Sequence, residues 1–248
     1  PDLQFIYPGS SLSDARFGFK TSSTIFGIQT GVYFWRAHQD QGIVSTPPLE
    51  RQFDAAGNPT NTYHYEYTRQ NTYGFYGNKN FDFGVMRFDV AYKPDVRFQS
   101  LDFVRNPDGV VELDQLKAQI GYNKDFMIQK LNPNQTFGLI AEYVGAYILD
   151  SDTERASIAF PFAIRLPRDS HQIMVSLGTN YNFGMYAPSM VVIYDFRGDT
   201  ALLQPSFTFN PDWMNRKWSF KLQYNHIYAD DEFDAGFGLV KEKNSVIP

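Results

Sequence analysis

The chain has no cysteine, which removes disulfide scaffolds and thiolate metal sites from consideration. That absence fits a fold held by a closed backbone hydrogen-bond ladder. It also has no run of about 20 apolar residues, so a helical membrane span is excluded. The nearest stretch, residues 138–149, is interrupted by Glu142. Positive charge is not in excess: the net charge is −5, which argues against a nucleic-acid partner. Catalytic signatures are missing as well. There is no Gly-x-Ser-x-Gly elbow and no phosphate-cradling Gly-Lys-Ser/Thr loop. The histidines, His38, His64, His171 and His226, are scattered, with none paired at metal-ligand spacing. A Ser-His-acid triad is defined by geometry rather than order, but nothing here marks a nucleophile. The expectation is therefore no enzyme, no cofactor and no metal. No initiator Met or signal peptide opens the chain, which starts Pro1-Asp2-Leu3; a removed signal or a longer parent protein is expected.

What is present is aromatic and alternating. Phe and Tyr number 23 and 16, and aromatics make up 17% of the chain. Such a share suits interfacial girdles, and sugar-binding β-proteins share it. From Ser170 to Tyr228 one pattern repeats. Ile173, Val175, Leu177, Tyr181 and Phe183 alternate with Gln172, Ser176, Asn180 and Asn182. Leu203, Pro205, Phe207 and Phe209 alternate with Gln204, Ser206, Thr208 and Asn210. Trp218, Phe220, Leu222 and Tyr224 alternate with Ser219, Lys221, Gln223 and Asn225. A period of two puts each set on one face of a strand.

In chain order, residues 1–13 read as irregular. Strands are expected at 15–22 and 24–36, joined by a turn at Thr21-Ser22-Ser23. One strand is expected from Tyr63 through Phe75, with a bulge near Arg69-Gln70-Asn71. A turn at Gly77-Asn78-Lys79-Asn80 leads to a strand at 81–92. A long loop at 93–112, carrying Asn106-Pro107-Asp108-Gly109, precedes strands at 113–122 and 136–149. The four-strand block of residues 170–228 follows, and an acidic loop at 230–244 leads to three or four residues near Ser245 that could begin a closing strand. Many segments run to about 10–14 residues, beyond the ~5–6 of a soluble strand and long enough for a tilted membrane strand of ~9–11. Long and short connections alternate, as external loops and periplasmic turns do. The fold class expected is an all-β, transmembrane, antiparallel up-and-down β-barrel, partial, with about ten strands visible and its closing and N-terminal strands missing, one domain over residues 1–248. By direction and parity, its N-terminal strands should precede Pro1, making this the C-terminal portion of a longer barrel. A soluble β-sandwich is the competing architecture.

The successions NTYGFYGNKNFDFGVMRFDVAY, LDQLKAQIGYNKDF, LNPNQTFGLIAEY and LLQPSFTFNPDWMNRKWSFKLQYNHIYADDEFDAGFG resemble the C-terminal half of a large proteobacterial outer-membrane barrel family, known only as a domain of unknown function. That resemblance covers most of residues 60–245 and carries no catalytic signature. It implies a porin-like or transport barrel in the bacterial outer membrane, handling lipid-like or hydrophobic compounds.

Candidate site residues follow from the faces. Arg87, Asp89, Lys117, Gln119, Glu142 and Lys221 fall on polar strand faces, with Asp195 beside them. In a barrel they would line the lumen, either as a mixed-sign filter or as a salt-bridge brace. Tyr181, Phe183, Phe209, Trp218 and Tyr224 are the girdle candidates, joined by Tyr194, Phe196 and Tyr228. A carbohydrate-stacking track is the alternative use of aromatics, with Tyr63, Tyr65 and Tyr67 the best placed. The acidic clusters Asp150, Asp152, Glu154 and Asp230, Asp231, Glu232, Asp234 lack the turn and spacing of a calcium loop and read as solvated charge. Function is expected to be passage of small or hydrophobic solutes through a polar, mixed-charge lumen. The alternative is a plugged structural or adhesive barrel that binds through long external loops. Expected partners are outer-membrane lipid and lipopolysaccharide, with self-association or contact with other envelope proteins open.

Overall fold

The computed structural model describes residues 2–7, 9, 14–39, 42–45, 62–100, 102, 104–149, 156–157, 168–211, 218–229 and 245–247. Its strands are β1 (Asp2–Ile6), β2 (Phe17–Ile25), β3 (Ile28–His38), β4 (Ile43–Ser45), β5 (Thr62–Glu66), β6 (Arg69–Phe81), β7 (Gly84–Ser100), β8 (Val110–Phe126), β9 (Phe137–Ile148), β10 (Ala156–Ser157), β11 (Asp169–Thr179), β12 (Tyr186–Asp195), β13 (Thr200–Phe209), β14 (Phe220–Ala229) and β15 (Ser245–Ile247). A 12-stranded sheet runs in the order β15-β14-β13-β12-β11-β9-β8-β7-β6-β3-β2, with β10 attached to β7. Its ten long strands are 9 to 17 residues each, and every pairing in this sheet is antiparallel. Among the described residues the sheet is open, with β2 and β15 at its edges. No helix among them is long and apolar enough to cross a membrane.

Ten consecutive up-and-down strands match the expected count, and the three-residue β15 pairs with β14 as the start of a further strand. The boundaries differ in five places. The N-terminal residues are not all irregular: β1 pairs in parallel with β5, in a small sheet of order β1-β5-β4. The β2 strand continues through the Thr-Ser stretch to Ile25, because Thr24 and Ile25 are good strand formers. The turn falls instead at Phe26-Gly27, where both φ angles are positive (52 and 73°) as a two-residue hairpin turn needs. Tyr63 to Phe75 is two strands in two sheets, broken at Tyr67-Thr68. Gly77–Asn80 lies inside β6, and the turn is Asp82-Phe83 ahead of Gly84 at φ 146°. Finally, much of the expected loop after Tyr92 is strand, with β7 and β8 paired out to Gln99 and Val110.

That long hairpin needs a bulge. Pro94 cannot donate to the ladder, so in a central strand it is tolerated only where pairing is interrupted. The register shifts between Lys93 and Val96, with Asp95 at φ 50°. Gln70 Nε2 donates to the Pro94 carbonyl at 2.7 Å. Asp114 holds the bulge from the other strand, accepting the Asp95 N–H at 3.0 Å and the Tyr92 hydroxyl. Beyond the bulge, Leu113, Val111 and Ile148 form a buried cluster against Phe98, so the extension has its own small core.

The Tyr92 hydroxyl and then the Asp95 N–H hold the Asp114 carboxyl below its ordinary range. A depressed carboxyl stabilises above its unfolded value and loses that contribution as pH falls through the folded one. Replacement by Asn (D114N) is therefore expected to speed hydrogen exchange of the Asp95 amide at pH 7. After correction for intrinsic exchange, the difference from wild type should close well below pH ~4.

Candidate functional site

Cross-strand partners project from the same side of a sheet, so the register sorts the side chains into two faces. One row runs Gly31, Tyr76, Asp89, Gln119, Val144, Gln172, Asp195 and Thr200. The adjacent row holds Gln29, Asn78, Arg87, Gly121 and Glu142, then turns apolar through Met174, Ile193, Leu202 and Ile227. All six predicted lumen residues lie on this face. Arg87, Asp89, Gln119 and Glu142 come together around one cavity of about 250 Å³, joined by Lys20 and Tyr76. Lys117 stands one row away opposite Ala91, exposed. Lys221 is on β14 opposite Thr208, remote from that cavity.

Inside the cavity charges are paired in place. Arg87 Nη2 lies 3.0 Å from Glu142 Oε1 and donates to Asn123 Oδ1 at 3.1 Å. The Tyr33 hydroxyl donates to Asp89 Oδ1 at 2.8 Å. Lys20 Nζ stands 3.9 Å over the Tyr76 ring, a cation–π contact. Glycines make room for these groups. A Cβ on Gly74 would fall 2.0 Å from the Tyr33 ring, one on Gly31 2.7 Å from Tyr76, and one on Gly121 3.4 Å from Arg87 Nε. The long side chains thus lie flat across the neighbouring strand. The arrangement offers a polar solute two cations, two carboxylates and phenol and amide donors. Asp195 plays a different part: it accepts Gln172 Nε2 at 2.9 Å and the Arg197 and Gly198 N–H groups, closing the β12–β13 turn.

Sequence alternation sets Lys20 and Tyr33 on the polar faces of their strands but does not mark them, or Tyr76, as lumen candidates. Their signal is indirect: Tyr33 breaks the apolar alternation of β3, and glycines 31, 74 and 121 fall on the polar side of their strands.

The other face is apolar and open. Phe19, Phe75, Phe88, Ile120, Met190, Leu203 and Leu222 all project from it, and all are exposed. Rings gather towards the short turns, where Phe81 stacks on Phe83 (4.9 Å), Phe126 on Phe137 (6.0 Å) and Tyr186 on Phe209 (5.4 Å). At the opposite end Tyr194 meets Phe196 edge-on, and Tyr147 packs on His171. His171 Nδ1 lies 2.5 Å from the Tyr143 hydroxyl and its Nε2 3.1 Å from Asp169, which Arg197 also pairs at 3.3 Å. Of the girdle candidates, Phe209 also stacks on Phe220, Tyr181 bridges to Tyr186, and Phe183 (φ 55°) and Trp218 are exposed near short connections. Tyr224 sits mid-strand in β14, opposite Val246, not at the strand end. Tyr63, Tyr65 and Tyr67 lie off this sheet, in and just after β5. Both acidic clusters fall outside the described residues.

No family model, curated protein or solved structure matches the chain. The fold defines it as a large, open, antiparallel up-and-down sheet.

Replacing Gly74 with Val is expected to push the Tyr33 ring off Asp89 and cost about 1–3 kcal/mol by overpacking. Comparison of urea midpoints for Gly74→Val, Tyr33→Phe and the double variant checks this. The double variant should be no less stable than Gly74→Val alone by more than ~0.5 kcal/mol, since the contact is already lost.

Proposed function

We propose that this chain forms part of the wall of a porin-like β-barrel channel in the bacterial outer membrane, as the family it resembles implies. One observation carries the reading: among the described residues, an apolar, aromatic face spans the whole sheet with no second layer against it. A soluble protein rarely exposes an apolar patch beyond a few hundred Å²; a bilayer covers such a face. The dimensions fit. Phe220 and Tyr228 bound the apolar face of β14 eight positions apart. That is about 26 Å along the strand, or roughly 20 Å once tilted by ~40°, close to the ~25 Å apolar band of an outer-membrane barrel. The Asp169–Arg197 pair then sits at headgroup level, where lipid and lipopolysaccharide supply polar partners, while Tyr143, level with Ile120, reaches towards it through His171.

On this reading the charge-bearing face lines the lumen, and the paired Arg87–Glu142 and Tyr33–Asp89 contacts set a mixed-sign constriction for small solutes. The apolar row from Met174 to Ile227 beside it suits solutes with a hydrophobic part.

Conductance in planar bilayers with purified protein tests the channel; no conductance and no solute flux overturn it. Glu142→Gln should shift the reversal potential in a salt gradient towards anions, by freeing Arg87. Lipid exposure is tested separately. Ile120→Arg should lower folding stability in vesicles by ~2–4 kcal/mol, whereas Gln119→Arg, one residue away on the other face, should cost less than ~1 kcal/mol.

A further inference from the structure

The small sheet β1-β5-β4 carries a surface that conduction does not use. Its parallel register sets Phe5 opposite Tyr65, and a period of two places Tyr7 and Tyr67 on the same side. The four rings form a connected set. Phe5 stacks on Tyr7 at 6.2 Å and 16°, and Tyr7 on Tyr67 at 6.4 Å and 22°. Tyr65 meets Phe5 at 5.5 Å and Tyr67 edge-on at 5.6 Å. Gly42 backs the group: a Cβ there would come within 2.4 Å of the Tyr65 ring, so the backbone itself supports it. The leading rings are open, with Phe5 55% and Tyr7 70% exposed. Rings of this size normally bury their surface; four held together in water mark a contact surface.

The chemistry of that surface is specific. Three of its four rings carry hydroxyls. The Tyr67 phenol is pushed above its ordinary value, first by desolvation and then by its neighbours Tyr65 and Tyr7. Nearby formal charges have partners: Arg97 lies 3.2 Å from Glu66, and Arg69 3.6 Å from Asp14. The surface is aromatic and uncharged: Phe5, Tyr7 and Tyr67 lie near-parallel, Tyr65 stands edge-on behind Tyr67, and phenolic donors lie along its rim. A pyranose is its complement. The C–H bonds on one sugar face sit on the negative face of an aromatic ring, and the equatorial hydroxyls exchange hydrogen bonds with the phenols. We propose that Phe5, Tyr7, Tyr65 and Tyr67 form a binding platform for a neutral hexopyranose glycan, displayed at the long-connection end of the sheet. The proposal needs only the small sheet and stands independently of conduction.

The test is affinity electrophoresis of the whole protein, in a detergent without a sugar headgroup, through gels containing dextran, laminarin or soluble starch. Titration calorimetry with the matching oligosaccharide follows. Retardation by at least one glycan is expected. Tyr7→Ala and Tyr67→Ala should each weaken binding about tenfold or more, and Tyr67→Phe by only about threefold, the loss of one hydrogen bond. Tyr7 follows the last residue of β1, so its replacement spares the ladder, and an unchanged far- and near-ultraviolet circular dichroism spectrum reports that the main sheet is folded. Tyr7→Leu separates stacking from general apolar contact and should bind as weakly as Tyr7→Ala. The proposal is overturned if no glycan binds the wild type or if the alanine variants bind undiminished. It is equally overturned if Tyr7→Leu matches wild type, which would mean an apolar peptide or acyl surface.

Discussion

One continuous antiparallel hydrogen-bond ladder decides to which face each side chain of the large sheet goes. Because the side-chain period is two, a slip of one residue anywhere would exchange the charged face for the aromatic one. The ladder keeps its register from Gln29–Asn78 across to Leu202–Ile227, and only thereby do Arg87 on β7 and Glu142 on β9 reach each other over Gly121. Among the described residues the register shift at Lys93–Val96 falls where the β7–β8 hairpin extends beyond its neighbours. There it alters the extension without disturbing the rows that build the cavity.

Within that register, glycine and large side chains are used as complements. Tyr33 over Gly74, Tyr76 over Gly31 and Arg87 over Gly121 cover the polar face sideways, and Phe88 over Gly77 does the same on the apolar face. A missing side chain on one strand becomes the seat for a long one on the next. Pairing charges across strands keeps desolvation low, because Arg87 and Glu142 remain partly solvated while bridged.

The strand count and the two faces were legible in the sequence because alternation is a local signal, strong in segments such as Leu116–Tyr122 and Leu203–Phe209. Turns were less so. Gly77-Asn78 has the composition of a tight hairpin, yet Tyr76 and Asn78 find partners in Asp89 and Arg87, and the strand runs on to Phe81. Phe26-Gly27 has no turn composition at its first position, but the geometry is met by positive φ at both residues. The cavity was half legible. Arg87, Asp89, Gln119 and Glu142 follow from parity; parity also gives Lys20 and Tyr33 their face, but that they reach the cavity depends on which strand lies next to which. The parallel pairing of β1 with β5 left no local trace.

That last pairing has a kinetic meaning. The long strands pair in chain order, so the sheet can grow by adding each strand to the one before. The small sheet instead joins Asp2 to Thr62 in parallel, and the entropy of closing that long loop must be met before the β1–β5 contacts form. Its aromatic cluster thus has no precursor among hairpins. It depends on β5 being delivered by the start of β6, which makes it a late-forming feature whose presence reports that the neighbouring strands are already in place.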